Sequence, residues 1–336
     1  VNSSYRRTIA HLIDTVPFDI DIDIQLSDRR PPTMANSMFL TNREQGDWAE
    51  AVVFNAINEY AQEYCAVRYG HESDLAAGDP GFAEFYRSYV HELNTIGKRP
   101  DILVYKRSDV PNDFDLEDEE FIQNAVAAIE VRSSSFLANK YSVFMEDRTR
   151  EAETTVSEIQ KKLLTEPYSS LLFEKSPNLH EMIRTATADT FRELDFNLRT
   201  WTSTEHLREL SSTLKLLKNQ IKILQKRDYL SVTPKLEDIA LVNRWIQRFG
   251  VKHYYLQVFF DKAYVIPFQK ILELTCKPEK EGLVFSIERD VKNQGKTTIK
   301  VNVQVGKEIL GKIDMPEHHS ALKELERGRL LYYGNL

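Results

Sequence analysis

Three consecutive stretches decide how this chain is read: R-P-D-I-L-V-Y-K (residues 99–106), P-N-D-F-D-L-E-D-E-E (111–120) and A-A-I-E-V-R-S-S-S (127–135). The first and third are short apolar runs rich in β-branched residues, the pattern of buried strands. Pro100 precedes the first run, where a missing N–H costs the sheet nothing. The acidic stretch between them has the composition of a loop. Strands at 101–106 and 126–132 are therefore expected side by side, with Asp101 and Glu130 brought to one place. On the second strand Ile129 and Val131 flank Glu130 and point to the opposite face, while Arg132 shares the face of Glu130. Two convergent carboxylates beside a cation suit hydrolysis of a phosphodiester assisted by Mg²⁺, which takes one or two carboxylates and keeps water in its remaining positions. The bland alternative is a strand-edge acid and an ordinary Glu130–Arg132 ion pair.

Outward from this stretch, the organisation is mixed. The segment 45–64 carries Trp48, Val52, Val53, Ala56, Ile57 and Tyr60 at helical spacing, and Glu50 lies beside that stripe in the first turn. Residues 80–95 read as a second helix. D-I-D-I-D-I-Q (19–25) alternates with the β period and reads as a half-exposed strand. Residues 136–228 are mostly helical, and Leu207, Leu210, Leu214, Leu217, Ile221 and Leu224 recur every three or four positions. That stripe reads as packed core, with a dimer seam as the alternative. A short strand at 229–233 and a helix ended by Gly250 follow, then the apolar strand H-Y-Y-L-Q-V-F-F-D. This order implies a parallel crossover. Residues 283–313 alternate in the β period around K-N-Q-G-K and should form a hairpin and a further strand.

The fold expected is mixed α/β. A core of 1–135 and 229–336 would end in a β-hairpin region, and 136–228 would be a large helical insertion.

Composition sets limits on function. The 336 residues carry a net charge of −7, with 42% hydrophobic and 28% charged residues. That balance argues against a non-specific basic nucleic-acid binder but permits a basic cleft. The segment 215–227 carries five cations and no acid. No apolar run is long enough to span a membrane, and no signal-peptide pattern is visible. Cys65 and Cys276 stand far apart, as expected of reduced thiols in a cytoplasmic protein.

The residues named above carry a resemblance. Asp101 in R-P-D and Glu130–Arg132 in A-I-E-V-R resemble the P-D…(D/E)-x-K signature of the restriction-endonuclease-like superfamily. Glu50, in G-D-W-A-E, resembles the acid that many of those enzymes carry on the preceding helix. More narrowly, I-E-V-R-S-S-S-F, L-S-V-T-P-K-L-E-D and H-Y-Y-L-Q-V-F-F-D-K-A-Y are similar to type II restriction endonucleases of the AccI-like group. The resemblance implies Mg²⁺-dependent cleavage of double-stranded DNA at a short specific site by a homodimer, with a partner methyltransferase protecting host DNA. It implies metal ligation by Asp101 and Glu130 and a further catalytic contribution from Glu50.

Arg132 departs from the signature, which prefers lysine. Arginine stays charged and cannot act as a base near neutral pH, although it can clamp a phosphate. Lys235, just after the strand 229–233, is a candidate for the displaced lysine, and Lys140 is a second. Ser133 and Ser134 are candidate phosphate contacts or a plain strand end. For base reading the candidates are the helix 215–227 and the hairpin residues Arg289, Lys292, Asn293, Gln294 and Lys296. Two other functions fit the same residues: a DNA-repair nuclease, and a nuclease-like protein that binds DNA without cutting it.

Overall fold

The computed structural model describes residues 2–26, 37–70, 75, 77–290, 296–313, 321–324 and 330–333. The fold is mixed α/β. In chain order its helices are α1 (Asn2–Thr15), α2 (Ser37–Tyr60), α3 (Phe82–Thr95), α4 (Glu119–Gln123), α5 (Ala138–Leu163), α6 (Tyr168–Lys175), α7 (Pro177–Thr185), α8 (Glu205–Leu224), α9 (Leu236–Phe249) and α10 (Phe268–Thr275). The strands are β1 (Tyr64–Arg68), β2 (Ile102–Lys106), β3 (Ala127–Ser133), β4 (Ser231–Val232), β5 (His253–Val258), β6 (Ala263–Pro267), β7 (Phe285–Asp290), β8 (Lys296–Asn302), β9 (Lys307–Leu310), β10 (Ala321–Glu324) and β11 (Leu330–Tyr333). Contacts divide the chain into two units, Val1–Ala138 with Leu230–Leu336, and Asn139–Tyr229.

The first unit is built on a six-stranded sheet in the order β1-β2-β3-β5-β6-β9. Its central pair, β3 and β5, is parallel, with Glu130 opposite Tyr255. The pairings on either side are antiparallel. Alternation along the strands divides the side chains between two cores. Leu103, Tyr105, Ala128 and Tyr255 join Trp245 and Ile246 of α9 and Phe268 and Ile271 of α10. Ile102, Val104, Ile129 and Val131 face Ala49 and Val53 of α2. Glu130 lies on the same side of β3 as Ala128, which places a carboxylate on the face covered by α9. The α9 helix earns that position by its sequence: Ile239, Val242, Trp245, Ile246 and Phe249 are buried together, and Gly250 ends the helix at φ 74°.

Three expectations need correction. The run 19–25 forms no strand, because its backbone is bound by side chains instead of by a neighbouring strand. Arg244 donates to the carbonyls of Ile22 and Ile24 at 3.3 and 2.7 Å. Asn94 exchanges two hydrogen bonds with the backbone of Leu26. The helix expected over 45–64 ends at Tyr60, and Tyr64–Arg68 is an edge strand paired with β2. Finally, the strand before α9, β4, is not the one that runs parallel to β5. It pairs with β8 in a separate sheet of order β4-β8-β7, and the parallel partner of β5 is β3.

The expected hairpin is β7–β8, with Ile287 opposite Ile299. Its K-N-Q-G-K turn, with Lys292, Asn293 and Gln294, and the side chains of Arg289 and Lys296 lie outside the described residues. In the second unit, Leu207, Leu210, Leu214, Leu217, Ile221 and Leu224 of α8 are buried against Val156, Leu163, Leu172 and Ile183. The leucine stripe is therefore core. No helix among the described residues is long and apolar enough to cross a membrane.

Candidate active site

The segment between α3 and β2 is shaped by its contact with α9. Gly97 adopts φ +87°, and a Cβ there would stand 2.3 Å from the Leu241 carbonyl oxygen, so only glycine permits so close an approach. The next N–H, of Lys98, donates to that same carbonyl at 3.1 Å. Arg99 is tied to Glu92 at 2.6 Å and Glu117 at 3.0 Å, with its guanidinium over the Tyr69 ring. The Asp101 carbonyl accepts from the N–H groups of Tyr69 and Gly70. Its carboxylate accepts from the Val131 N–H at 2.6 Å, just beyond the last residue pair of β2 and β3. This bond is the local reason that Asp101 and Glu130 share one site.

Glu130 is 2% exposed. Its Oε1 takes the Lys98 ammonium and lies 3.0 Å from Nη2 of Arg132. The same Arg132 nitrogen donates to Asp238 of α9 at 2.8 Å, and the Lys98 ammonium stands 3.8 Å from that carboxylate. Two cations and two anions thus form a compact cluster across β3, α9 and the segment before β2. The other oxygen of Glu130, Oε2, is buried with no hydrogen-bond partner among the described residues.

Charge in the cluster is uneven. Burial opposes ionisation of Glu130, but Lys98 and Arg132 outweigh it and hold the carboxyl below its usual range. Asp238 is depressed in the same way, against its own burial, by Lys98, Arg132 and Lys235. Asp101 behaves oppositely. Burial, then Glu130, then Glu50 push its carboxyl well above the ordinary value. A site that forces one carboxylate toward neutrality while holding its neighbour ionised has room for additional positive charge. Burial opposes the charge on Lys98, but Glu130 reverses the balance and keeps the ammonium protonated.

A cavity of about 630 Å³ adjoins these groups, lined by Lys98, Arg132, Lys235 and Asp238 together with Tyr86 and Tyr89 of α3. The structure thus brings together Asp101, Glu130 and Arg132, with Glu50 on α2 within electrostatic reach of Asp101. Lys235 reaches the same cavity from the start of α9 and acts on Asp238. Lys140 falls in the helical unit. Ser134 Oγ is bonded to Gln257 at 3.1 Å. The Gln45 amide, oriented to satisfy its neighbours, accepts from Ser133 Oγ at 3.3 Å. Both serines are engaged within the protein. Lys98 and Asp238 are the residues that sequence reading missed. Lys98 carried a faint signal, three positions before Asp101 in G-K-R-P-D. Asp238 carried none, since only the packing of α9 brings it to the cluster.

These residues fit a hard divalent cation. Among the described residues no three His, Cys, Asp or Glu side chains group to enclose a metal. Mg²⁺ needs no such cage, because one or two carboxylates with waters suffice. The partnerless Oε2 of Glu130 and the carboxylate of Asp101 would hold it, and the ion's charge would relieve the strain on Asp101.

Searches of curated proteins and of solved structures return no match. A family model described as AccI restriction endonuclease matches residues 3–336, nearly the whole chain. The chain belongs to the AccI restriction endonuclease family, and with it to the type II restriction endonucleases, which are site-specific deoxyribonucleases.

Proposed function

We propose that this protein hydrolyses both strands of double-stranded DNA at a short specific sequence, using Mg²⁺ held by Asp101 and Glu130 on a core of the P-D…(D/E)-x-K type. The observation that carries the reading is the pair itself. Asp101 is pinned to the Val131 N–H at 2.6 Å, and Glu130 keeps one buried oxygen without a partner. When bound, Mg²⁺ would offset charge on the phosphoryl oxygens and supply a more acidic water.

The protein's own part is positional. Lys98 and Arg132 hold Glu130 ionised and fix its rotamer through Oε1, which leaves Oε2 without a partner among the described residues. Asp238 anchors Arg132 from α9. Glu50 adds negative potential at Asp101, which deepens the preference for a cation. Ser133 and Ser134, at the end of β3, could meet a DNA phosphate only by exchanging their present bonds. A homodimer, whose two-fold symmetry would set one site against each strand, and a cognate DNA methyltransferase in the same cytoplasm complete the proposal.

The test is to replace each acid by its amide. Asp101→Asn and Glu130→Gln should each lose about 10²–10³-fold in cleavage rate, the scale set by losing one preorganised electrostatic group. Both should still shift a DNA fragment in Ca²⁺. Cleavage within tenfold of wild type in both variants would overturn the assignment.

A further inference from the structure

Hydrolysing a phosphodiester forms a bond from a water oxygen to phosphorus and breaks the ester P–O bond, whose electron pair leaves with the alcohol oxygen. The water yields one proton to solvent, and the alcohol oxygen takes one up. Negative charge on the two non-bridging oxygens rises toward the transition state, so a cation fixed there lowers the barrier. Three side chains that line the cavity could supply it: Arg132, Lys235 and Lys98.

Their commitments differ. Arg132 spends Nη2 on both Glu130 and Asp238, and its Nε is buried without a partner. It is held as a strut between β3 and α9. Lys235 sits at the start of α9 and bears on Asp238, which is not one of the two carboxylates of the pair. Lys98 is bonded to Glu130 Oε1 itself and lines the cavity, and it is set three residues before Asp101 on a segment fixed by Gly97 and Arg99. An ammonium has three donors. Glu130 takes one, and Asp238 at 3.8 Å lies beyond hydrogen-bond distance. Two donors remain for a ligand entering the cavity.

We propose that Lys98 is a catalytic residue, its ammonium meeting a non-bridging oxygen of the scissile phosphate while it holds Glu130 in place. The proposal rests on the nuclease reading above. It assigns to Lys98 the cation that Arg132 was expected to provide, and it makes Arg132 and Asp238 positioning residues. The role proposed for Lys98 is that of a fixed charge and not of a base.

The experiment measures single-turnover cleavage of a duplex carrying the site mapped with the wild-type protein, across a Mg²⁺ titration. It compares wild type with Lys98→Gln, Lys98→Arg and Arg132→Gln. Lys98→Gln should lower the rate at saturating Mg²⁺ by about 10²–10³-fold. Lys98→Arg should recover part of that loss, and Arg132→Gln should lose less than Lys98→Gln. A residue that merely holds Glu130 would instead raise the Mg²⁺ concentration needed for half-maximal rate, and saturating Mg²⁺ would restore the wild-type rate. That outcome overturns the proposal, as does a Lys98→Gln rate within fivefold of wild type. If Lys98→Gln does not fold, Lys98→Arg carries the test. Its planar fork cannot reproduce the ammonium contact, so at least a tenfold loss at saturating Mg²⁺ is expected, and a wild-type rate refutes it. If the wild-type protein itself cuts no DNA with Mg²⁺, the nuclease reading falls, a result distinct from active wild type with an indifferent Lys98.

Discussion

Gly97→Ala tests whether the segment before β2 owes its position to contact with α9. At φ +87° the alanine is strained, at a cost of about 1–2 kcal/mol. Its Cβ would also lie 2.3 Å from the Leu241 carbonyl oxygen, 2.7 Å from the Trp245 nitrogen and 3.0 Å from Arg244 Cβ. Two of these atoms are helix backbone and cannot rotate away, so the segment must lift from α9, an overpacking that costs about 1–3 kcal/mol. Together the two effects predict a loss of about 2–5 kcal/mol. Lifting also stretches the bond from the Lys98 N–H to Leu241 and carries the Lys98 ammonium away from Glu130. A displacement of about 1 Å at a reacting centre costs on the order of 10²-fold in rate. The assay is urea unfolding followed by tryptophan fluorescence, with single-turnover cleavage on the same preparation. Gly46→Ala is the control. Gly46 lies within α2 with nothing within 4 Å of its would-be Cβ, and alanine there should stabilise by about 0.5–1 kcal/mol. A Gly97→Ala protein with the wild-type urea midpoint and a cleavage rate within threefold would refute the reasoning.

Three further outcomes are expected. Because burial, Glu130 and Glu50 raise the Asp101 carboxyl in the fold, folding favours its protonated form, and stability without metal falls as pH rises above the unfolded carboxylate range. Mg²⁺ should therefore raise the Tm of wild type at pH 8, while Asp101→Asn should be at least as stable as wild type without metal and gain little from Mg²⁺. Differential scanning fluorimetry decides this, and an equal Mg²⁺ shift in both proteins contradicts it. His253 is buried among Trp245, Tyr255 and Phe268, and burial lowers it from its ordinary 6.5 to about 4. Between those values the unfolded chain binds a proton that the fold refuses. Stability is then lost as pH falls from 6.5 to 4, by roughly 3 kcal/mol. His253→Leu should flatten that acid limb in urea titrations at successive pH values, and an unchanged slope would sink the assignment. Trp245→Ala, removing a fully buried ring at the centre of α9, should cost about 3–5 kcal/mol in the same unfolding assay.

Much of the sheet was legible because its signals are local. Pro100 marks the start of β2, short apolar runs mark β2, β3 and β5, and Gly250 marks the end of α9. The meeting of Asp101 with Glu130 followed from those runs alone. What stayed hidden depends on partners far away in sequence. The alternation of Ile20, Ile22 and Ile24 is a good strand pattern, yet Arg244 and Asn94 satisfy that backbone from other elements. The strand Tyr64–Arg68 follows α2 after a three-residue break without Gly or Pro, so nothing in its composition separates it from the helix. Asp238 sits 106 residues beyond its partner Arg132, and no spacing rule connects them. Lys98 was overlooked because it stands in a glycine-ended segment that reads as a plain connection. Only the fit of Gly97 against α9 turns that segment into one wall of the site.

The most direct measurement is incubation of the protein with unmethylated phage DNA, in Mg²⁺ and in EDTA, resolved on a gel with the ends mapped. The account predicts discrete fragments with Mg²⁺, one sequence at every cut in both strands, and intact DNA with EDTA. Discrete fragments in EDTA, or DNA that is shifted but uncut in Mg²⁺, would contradict it.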